Sequence, residues 1–195
     1  MKYKIVDNFI DDEDFDQISN TLTKHQEYYF SQSITGDAET ENNLSGYGFG
    51  CSFVTEDKPG KYQNRRNTSL IQNINTKIMM RFGKEMGFRN VIRSRLDLTT
   101  HRGLERMMHP HTDSTSKNYT SILYFHTCGS PTIVYNETQS ECDDPLTSDQ
   151  VNNLTEMMRV DSVANRLFIF EGQYIHTGMC AYDTSVRVLL NSNFQ

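Results

Sequence analysis

Val186-Arg187-Val188-Leu189-Leu190-Asn191 is an apolar run with one charge set into it. In an extended chain alternate residues share a face. Val186, Val188 and Leu190 would then face an outer layer, and Arg187, Leu189 and Asn191 would face the other way. A guanidinium turned inward needs an anion, and its planar fork is suited to gripping a carboxylate in two places. The stretch therefore predicts a β-strand with a working inner face.

Further strands lie around it. Tyr119 to His126, Thr132 to Tyr135, Leu167 to Phe170 and Val186 to Phe194 carry strand patterns, and Val91 to Leu98 alternates less regularly. An interval of low apolarity, Asn136 to Glu156, separates them. The first half of the chain is different. Residues 2 to 10 suit a first strand, and Asp11-Asp12-Glu13-Asp14 supplies acidic groups where a helix dipole favours them. Phe15, Ile18 and Leu22 then recur at helical spacing, predicting an amphipathic helix over residues 12 to 25. Leu70, Ile71, Ile74, Ile78, Met79, Phe82 and Met86 mark a second helix from about Ser69 to Met86, with Gly87 as its C-cap. Residues 30 to 68 between them are polar, with an apolar island at Phe49 to Val54, and part of this region is expected to fold over a site as a lid.

Helices first and short strands later suit an α+β, mainly β fold: a double-stranded β-helix, or jelly roll, backed by N-terminal helices. We expect a single domain over 1–195, with helical support in about 1–88 and the jelly-roll core in about 90–195. With 19 basic against 25 acidic residues the net charge is -6, and no basic stripe supports nucleic-acid binding. The N-terminus has no apolar signal region and no run approaches a membrane span, so the expected location is the cytoplasm. Cys51, Cys128, Cys142 and Cys180 form no C-x-x-C pair and are expected as free thiols.

The chemistry concentrates in Met108-His109-Pro110-His111-Thr112-Asp113. If extended, this segment turns His111 and Asp113 to one face. His176, which follows the apolar run Leu167 to Phe170, is the best third ligand. Two neutral imidazoles and one carboxylate on one face of an ion leave the opposite positions open, which suits non-haem Fe(II). A rival set is His109, His111 and His176, the three-histidine arrangement of catalytic zinc. His25, His101 and His126 lack partner spacing, and Glu171 and Asp183 are acids of turns.

His111-x-Asp113, a distant His176 and Arg187 eleven positions later, in that order, resemble the 2-oxoglutarate and Fe(II)-dependent dioxygenases. The resemblance covers roughly residues 90 to 194. Tyr119-Thr120-Ser121-Ile122-Leu123-Tyr124-Phe125, then a Gly turn and Thr132-Ile133-Val134-Tyr135, is similar to the prolyl 4-hydroxylase-like branch, including its small stand-alone members in phage genomes. Gly129-Ser130-Pro131 departs from the Gly-Gly of many relatives. The resemblance implies Fe(II) on His111, Asp113 and His176, with 2-oxoglutarate gripped by Arg187 and dioxygen as co-substrate. It implies that Tyr124 hydrogen-bonds the co-substrate carboxylate; a core tyrosine satisfied elsewhere is the other reading. The implied reaction hydroxylates a C–H bond of a protein side chain or a small molecule and releases succinate and carbon dioxide. The alternatives are a non-catalytic or zinc-binding jelly roll, or an interaction protein with the fold alone.

Overall fold

The computed structural model describes residues 1–32, 34, 47–101, 107–114, 116–142 and 146–195. Of the region 30 to 68, part of which is expected to fold over a site as a lid, residues 33 and 35–46 lie outside them. In chain order the elements are β1 (Tyr3–Val6), α1 (Asp12–Lys24), β2 (Tyr29–Ser31), β3 (Gly48–Val54), α2 (Thr68–Met86), β4 (Val91–Thr100), β5 (Tyr119–Tyr124) and β6 (Cys128–Thr138). A short 3-10 turn (Gln139–Glu141), α3 (Ser148–Asn153), β7 (Glu156–Ser162), β8 (Leu167–Glu171), β9 (Tyr174–Gly178) and β10 (Val186–Phe194) complete them.

Two sheets face each other in a jelly roll. The larger has seven strands in the order β1-β8-β5-β10-β4-β3-β2, and the smaller three in the order β7-β6-β9. Each pairing is antiparallel. β10 sits at the centre of the large sheet, paired with β4 on one side and β5 on the other. Residues Met107 and His111 bridge to Met179 and His176, so this segment runs beside β9 and extends the small sheet.

The alternation read in β10 is borne out. Val188, Leu190 and Phe194 share a buried cluster with Leu96, Leu123, Leu167 and Ile169 and with Leu22, Ile71, Ile74 and Ile78 of the two long helices. The helices thus cover the outer face of the large sheet. On the inner face Leu189 packs with Ile122, Tyr124, Phe168 and Phe170 against Val134 and Val160 of the small sheet. At about 25 cal/mol per Å² of apolar area, these two layers supply the main driving force for closing the fold. α2 stops where expected: Gly87 takes the left-handed φ of 92° and donates its N–H to the Gly83 carbonyl.

Some elements differ from the sequence reading. The first 88 residues give three strands to the large sheet as well as two helices. The polar interval 136 to 156 holds the end of β6, the 3-10 turn and α3, whose Thr147 side chain accepts from Gln150 N. β7 escaped the pattern because it is an outer strand of the small sheet with charged residues at Glu156, Arg159 and Asp161. Among the described residues no helix is long and apolar enough to cross a membrane. No disulfide joins any of the four cysteines.

Candidate metal and co-substrate site

His111, Asp113 and His176 come together, with one ligand atom from each lying within 4.8 Å of the others. The backbone sets this up. His111 and His176 are directly opposed and exchange both N–H to carbonyl hydrogen bonds at 2.9 Å. Thr177 Oγ1 adds a bond to the Met108 carbonyl at 2.7 Å, pinning the two segments. The ring orientations are also held. His111 Nδ1 faces the His109 carbonyl at 2.9 Å and His176 Nδ1 faces the Tyr174 carbonyl at 3.2 Å. A carbonyl only accepts, so each neutral ring carries its proton on Nδ1 and turns an unprotonated Nε2 to the cluster. Phe170 packs edge-on against His176, with centroids 5.1 Å apart.

Asp113 is not on the strand that the sequence suggested. Pairing ends at His111, and Asp113 follows in a bend. Its carboxylate still reaches the cluster, with Oδ1 3.8 Å from His111 Nε2 and Oδ2 3.5 Å from His176 Nε2. Side chains of the large sheet hold it there, because the chain itself no longer does. Arg93 Nη1 meets Oδ1 at 2.7 Å, Asn191 Nδ2 lies 3.1 Å from both oxygens, and Asn193 Nδ2 and Thr120 Oγ1 lie 3.2 Å from Oδ2. Burial alone would raise the carboxyl pKa, but Arg93 and the two imidazoles outweigh it and hold the group well below the usual carboxylate range. Burial, and then the neighbouring His176, lowers His111 from 6.5 to about 4. Both shifts keep these groups in the forms that could bind a cation.

A second polar constellation shares the same cavity. Arg187 is 3% exposed, and among the described residues it forms no ion pair with a carboxylate. Its Nη2 donates to Thr132 Oγ1 at 3.3 Å, its guanidinium lies over the Tyr124 ring, and its Nε is buried with no hydrogen-bond partner. Thr99 lies opposite Arg187 in the β4–β10 register, and its hydroxyl is also buried and unpartnered. A buried cation without an anion is costly, and so are orphaned polar atoms. Here they cluster on one wall of one cavity.

That cavity, about 50 Å³, is lined by His111, His176, Thr132, Thr177, Gly178 and Arg187 among others. A wider recess of about 440 Å³ adjoins it through shared residues Ile34, Arg95 and His111, and is bordered by Ser52, Thr55, Glu56, Arg93 and Thr112. The inner cavity thus runs from the His-Asp-His cluster to Arg187, and the outer one exposes the cluster to a polar mouth.

Other expectations fare differently. His109 lies outside the cluster, its Nδ1 turned to the Pro110 carbonyl at 2.9 Å, so the three-histidine arrangement does not form. Tyr124 sits behind Thr132, donating to its hydroxyl at 2.7 Å, and does not line the cavity. Asn191 braces Asp113. Glu171 and Asp183 accept from Lys2 N and Gly129 N, away from the cluster. Arg93, Arg95 and Asp97 went unnoticed as site residues, although their alternation in Arg93-Ser94-Arg95-Leu96-Asp97 puts three charges on one strand face.

No family model and no curated protein sequence matches the chain. Solved structures do. An oxidoreductase of the 2OG-Fe(II) oxygenase family from Burkholderia pseudomallei aligns over 99% of this chain and 84% of its own, with a TM-score of 0.68 at 11% identity. A prolyl hydroxylase from Trichoplax adhaerens, solved with a hypoxia inducible factor peptide fragment, aligns over 98% and 82%, with a TM-score of 0.63 at 14% identity. The epimerase SnoN, solved with Fe3+, alpha ketoglutarate and nogalamycin RO, aligns over 99% and 78%, with a TM-score of 0.62 at 12% identity. At such identities the likeness is one of fold.

Proposed function

We propose that this protein is a small, single-domain oxygenase that uses Fe(II), 2-oxoglutarate and dioxygen to hydroxylate a C–H bond. The observation that carries the reading is Arg187: a buried guanidinium with no acidic partner among the described residues, in a cavity also lined by His111 and His176, whose cluster partner Asp113 borders the adjoining recess. A structural arginine would be expected to have found a carboxylate in the fold. One that waits for a carboxylate beside a two-histidine, one-carboxylate cluster fits a ligand that is chelated at one end and anionic at the other.

In this reading His111 Nε2, His176 Nε2 and one Asp113 oxygen hold the metal. Arg187, with Thr132 and Thr99 beside it, takes the far carboxylate of 2-oxoglutarate. Held there, Fe(II) and 2-oxoglutarate would supply the chemistry of dioxygen activation, with one oxygen atom passing to succinate as carbon dioxide is lost and the other to the substrate as a hydroxyl group. The protein orients these partners and walls them off. Phe170, Leu189 and Ile122 keep the inner end dry, and the polar recess by Thr55, Glu56 and Arg93 admits the substrate.

The substrate is a protein side chain or a polar small molecule that reaches this recess. Both kinds occur on the fold: the Trichoplax protein was solved with a peptide and SnoN with nogalamycin RO. Four unbridged thiols suit action in the reducing cytoplasm. The zinc-barrel alternative loses its third histidine, because His109 faces away.

The test is anaerobic titration of Fe(II)-loaded protein with 2-oxoglutarate, followed by the weak visible absorption of the chelate. The wild type is expected to develop the band, Asp113→Ala to lack it, and Arg187→Ala to need far more 2-oxoglutarate. A metal-loaded wild type with no band would overturn the reading.

A further inference from the structure

Arg93 lies on β4 opposite Asn193 of β10 and donates to Asp113 Oδ1 at 2.7 Å and to Asn193 Oδ1 at 3.2 Å. The carboxylate it meets is already saturated. Asn191 donates to both oxygens, and Asn193 and Thr120 donate to Oδ2. A carboxylate offers about four lone-pair positions, so a cation that takes Asp113 as a ligand must displace one of these donors. The bonds from Asn191, Asn193 and Thr120 are neutral and 3.1 to 3.2 Å long. The Arg93 bond is charge-assisted and shorter, and such bonds are roughly twice as strong. Oδ2 is therefore the oxygen that yields, and Oδ1 stays with Arg93.

We infer that Arg93 is a positioning residue that confines Asp113 to ligation through one oxygen, and thereby keeps open a coordination position that the second oxygen would otherwise fill. The inference rests on the proposed metal site. The placement of Arg93 suits the role: its side chain is 18% exposed and borders the outer recess, while the carboxylate it guards is 1% exposed. Its charge also opposes the incoming cation. With Asn191, Asn193 and Thr120 still holding the carboxylate at the cluster, removing Arg93 acts twice in one direction on the metal, freeing Oδ1 and relieving repulsion. It acts in the opposite direction on 2-oxoglutarate, whose chelate needs two neighbouring positions. A residue that merely braced the fold would weaken both.

The experiment measures Mn(II) affinity by calorimetry and 2-oxoglutarate affinity by the anaerobic Fe(II) absorption band, for wild type, Arg93→Met, Arg93→Lys and Asp113→Ala. Folding is checked by circular dichroism. Arg93→Met is expected to bind Mn(II) about tenfold more tightly and 2-oxoglutarate about tenfold more weakly, the scale on which neighbours of ligands tune metal sites. Arg93→Lys, which keeps a cation, is expected to stay near wild type. Weakening of both constants, or a change in neither, overturns the inference. If Arg93→Met does not fold, Arg93→Gln carries the same comparison. Wild type binding Mn(II) no better than Asp113→Ala would remove the metal site itself and the Arg93 role with it. Metal binding lost only in Asp113→Ala, with Arg93→Met unaltered, would leave the site standing and remove only that role.

Discussion

Arg187 and Tyr124 meet on a single atom: both donate to Thr132 Oγ1, at 3.3 and 2.7 Å. Tyr124 therefore reaches the proposed co-substrate site only through Thr132, whose hydroxyl hydrogen is left free to point into the cavity. Replacing Thr132 by Val strips Arg187 of that contact and leaves the Tyr124 hydroxyl buried without an acceptor. A net hydrogen bond is worth about 1 kcal/mol and a buried unsatisfied group costs about 1–3 kcal/mol. Thr132→Val is expected to weaken 2-oxoglutarate binding about tenfold or more, and Tyr124→Phe only about two- to fivefold, with metal affinity unchanged in both. Parallel titrations of 2-oxoglutarate and Mn(II) check the order.

Arg187 also bears on stability. In the ligand-free protein it is a buried cation with no acidic partner among the described residues, an arrangement that costs free energy until an anion arrives. Arg187→Met, close in volume and apolar, is expected to stabilise the ligand-free protein by about 1–2 kcal/mol in urea denaturation. The response to ligand should reverse. Mn(II)-loaded wild type at a hundred times its dissociation constant for 2-oxoglutarate gains about 2.7 kcal/mol, while the variant gains almost none at that concentration. A variant less stable than wild type without ligand would mean that Arg187 serves the fold.

Gly178 stands against the same guanidinium. A Cβ added there would lie 3.2 Å from Arg187 Nη1, tighter than ordinary packing, although the backbone itself is unstrained and its carbonyl still accepts from Met108 N. Gly178→Ala is expected to push the guanidinium aside by a few tenths of an ångström and to weaken 2-oxoglutarate binding several-fold. His176 keeps its backbone partner His111, so Mn(II) binding should not change. Loss of metal affinity would mean that the substitution disturbs β9 itself.

The parts of this site legible in the sequence were those carried by alternation. β10 gave away its inner face because Val186, Val188 and Leu190 frame Arg187, and the pairing with β4 and β5 bears that out. His111 and His176 were legible as residue types with motif spacing, although their cross-strand opposition was not, since pairing between distant segments leaves no periodic trace. Asp113 stands in the cluster on a local geometry other than the extended one its spacing suggests: it reaches His111 from a bend because Arg93, Asn191 and Asn193 pull it in. Those donors come from two other strands, and only their register reveals them. β2 and β3 were blurred by the polar character of residues 30 to 68, where tertiary pairing outweighs local propensity.

The depressed pKa of His111 gives a stability signature in the metal-free protein. In the unfolded chain the imidazole takes a proton near 6.5, whereas in the fold burial and His176 hold it neutral down to about 4. The unfolded state therefore binds more protons than the folded state between these values, and stability must fall as pH falls through that window. Above it the contribution of His111 is fully present. Each unit of difference corresponds to 1.36 kcal/mol, so lowering the pH from about 7.5 to about 5 should remove about 2 kcal/mol through this group. Asp113 works in the same direction at lower pH, since its carboxyl is held well below 3.8 and its stabilisation is lost only as the acid range is entered. Urea denaturation of metal-free wild type and His111→Gln at both pH values isolates the histidine, because other titrating groups are common to the two proteins. The wild type is expected to lose about 2 kcal/mol more than the variant. Equal losses would mean that His111 is protonated in the fold as readily as in the unfolded chain, and that the cluster is not pre-formed to receive a cation at mildly acid pH.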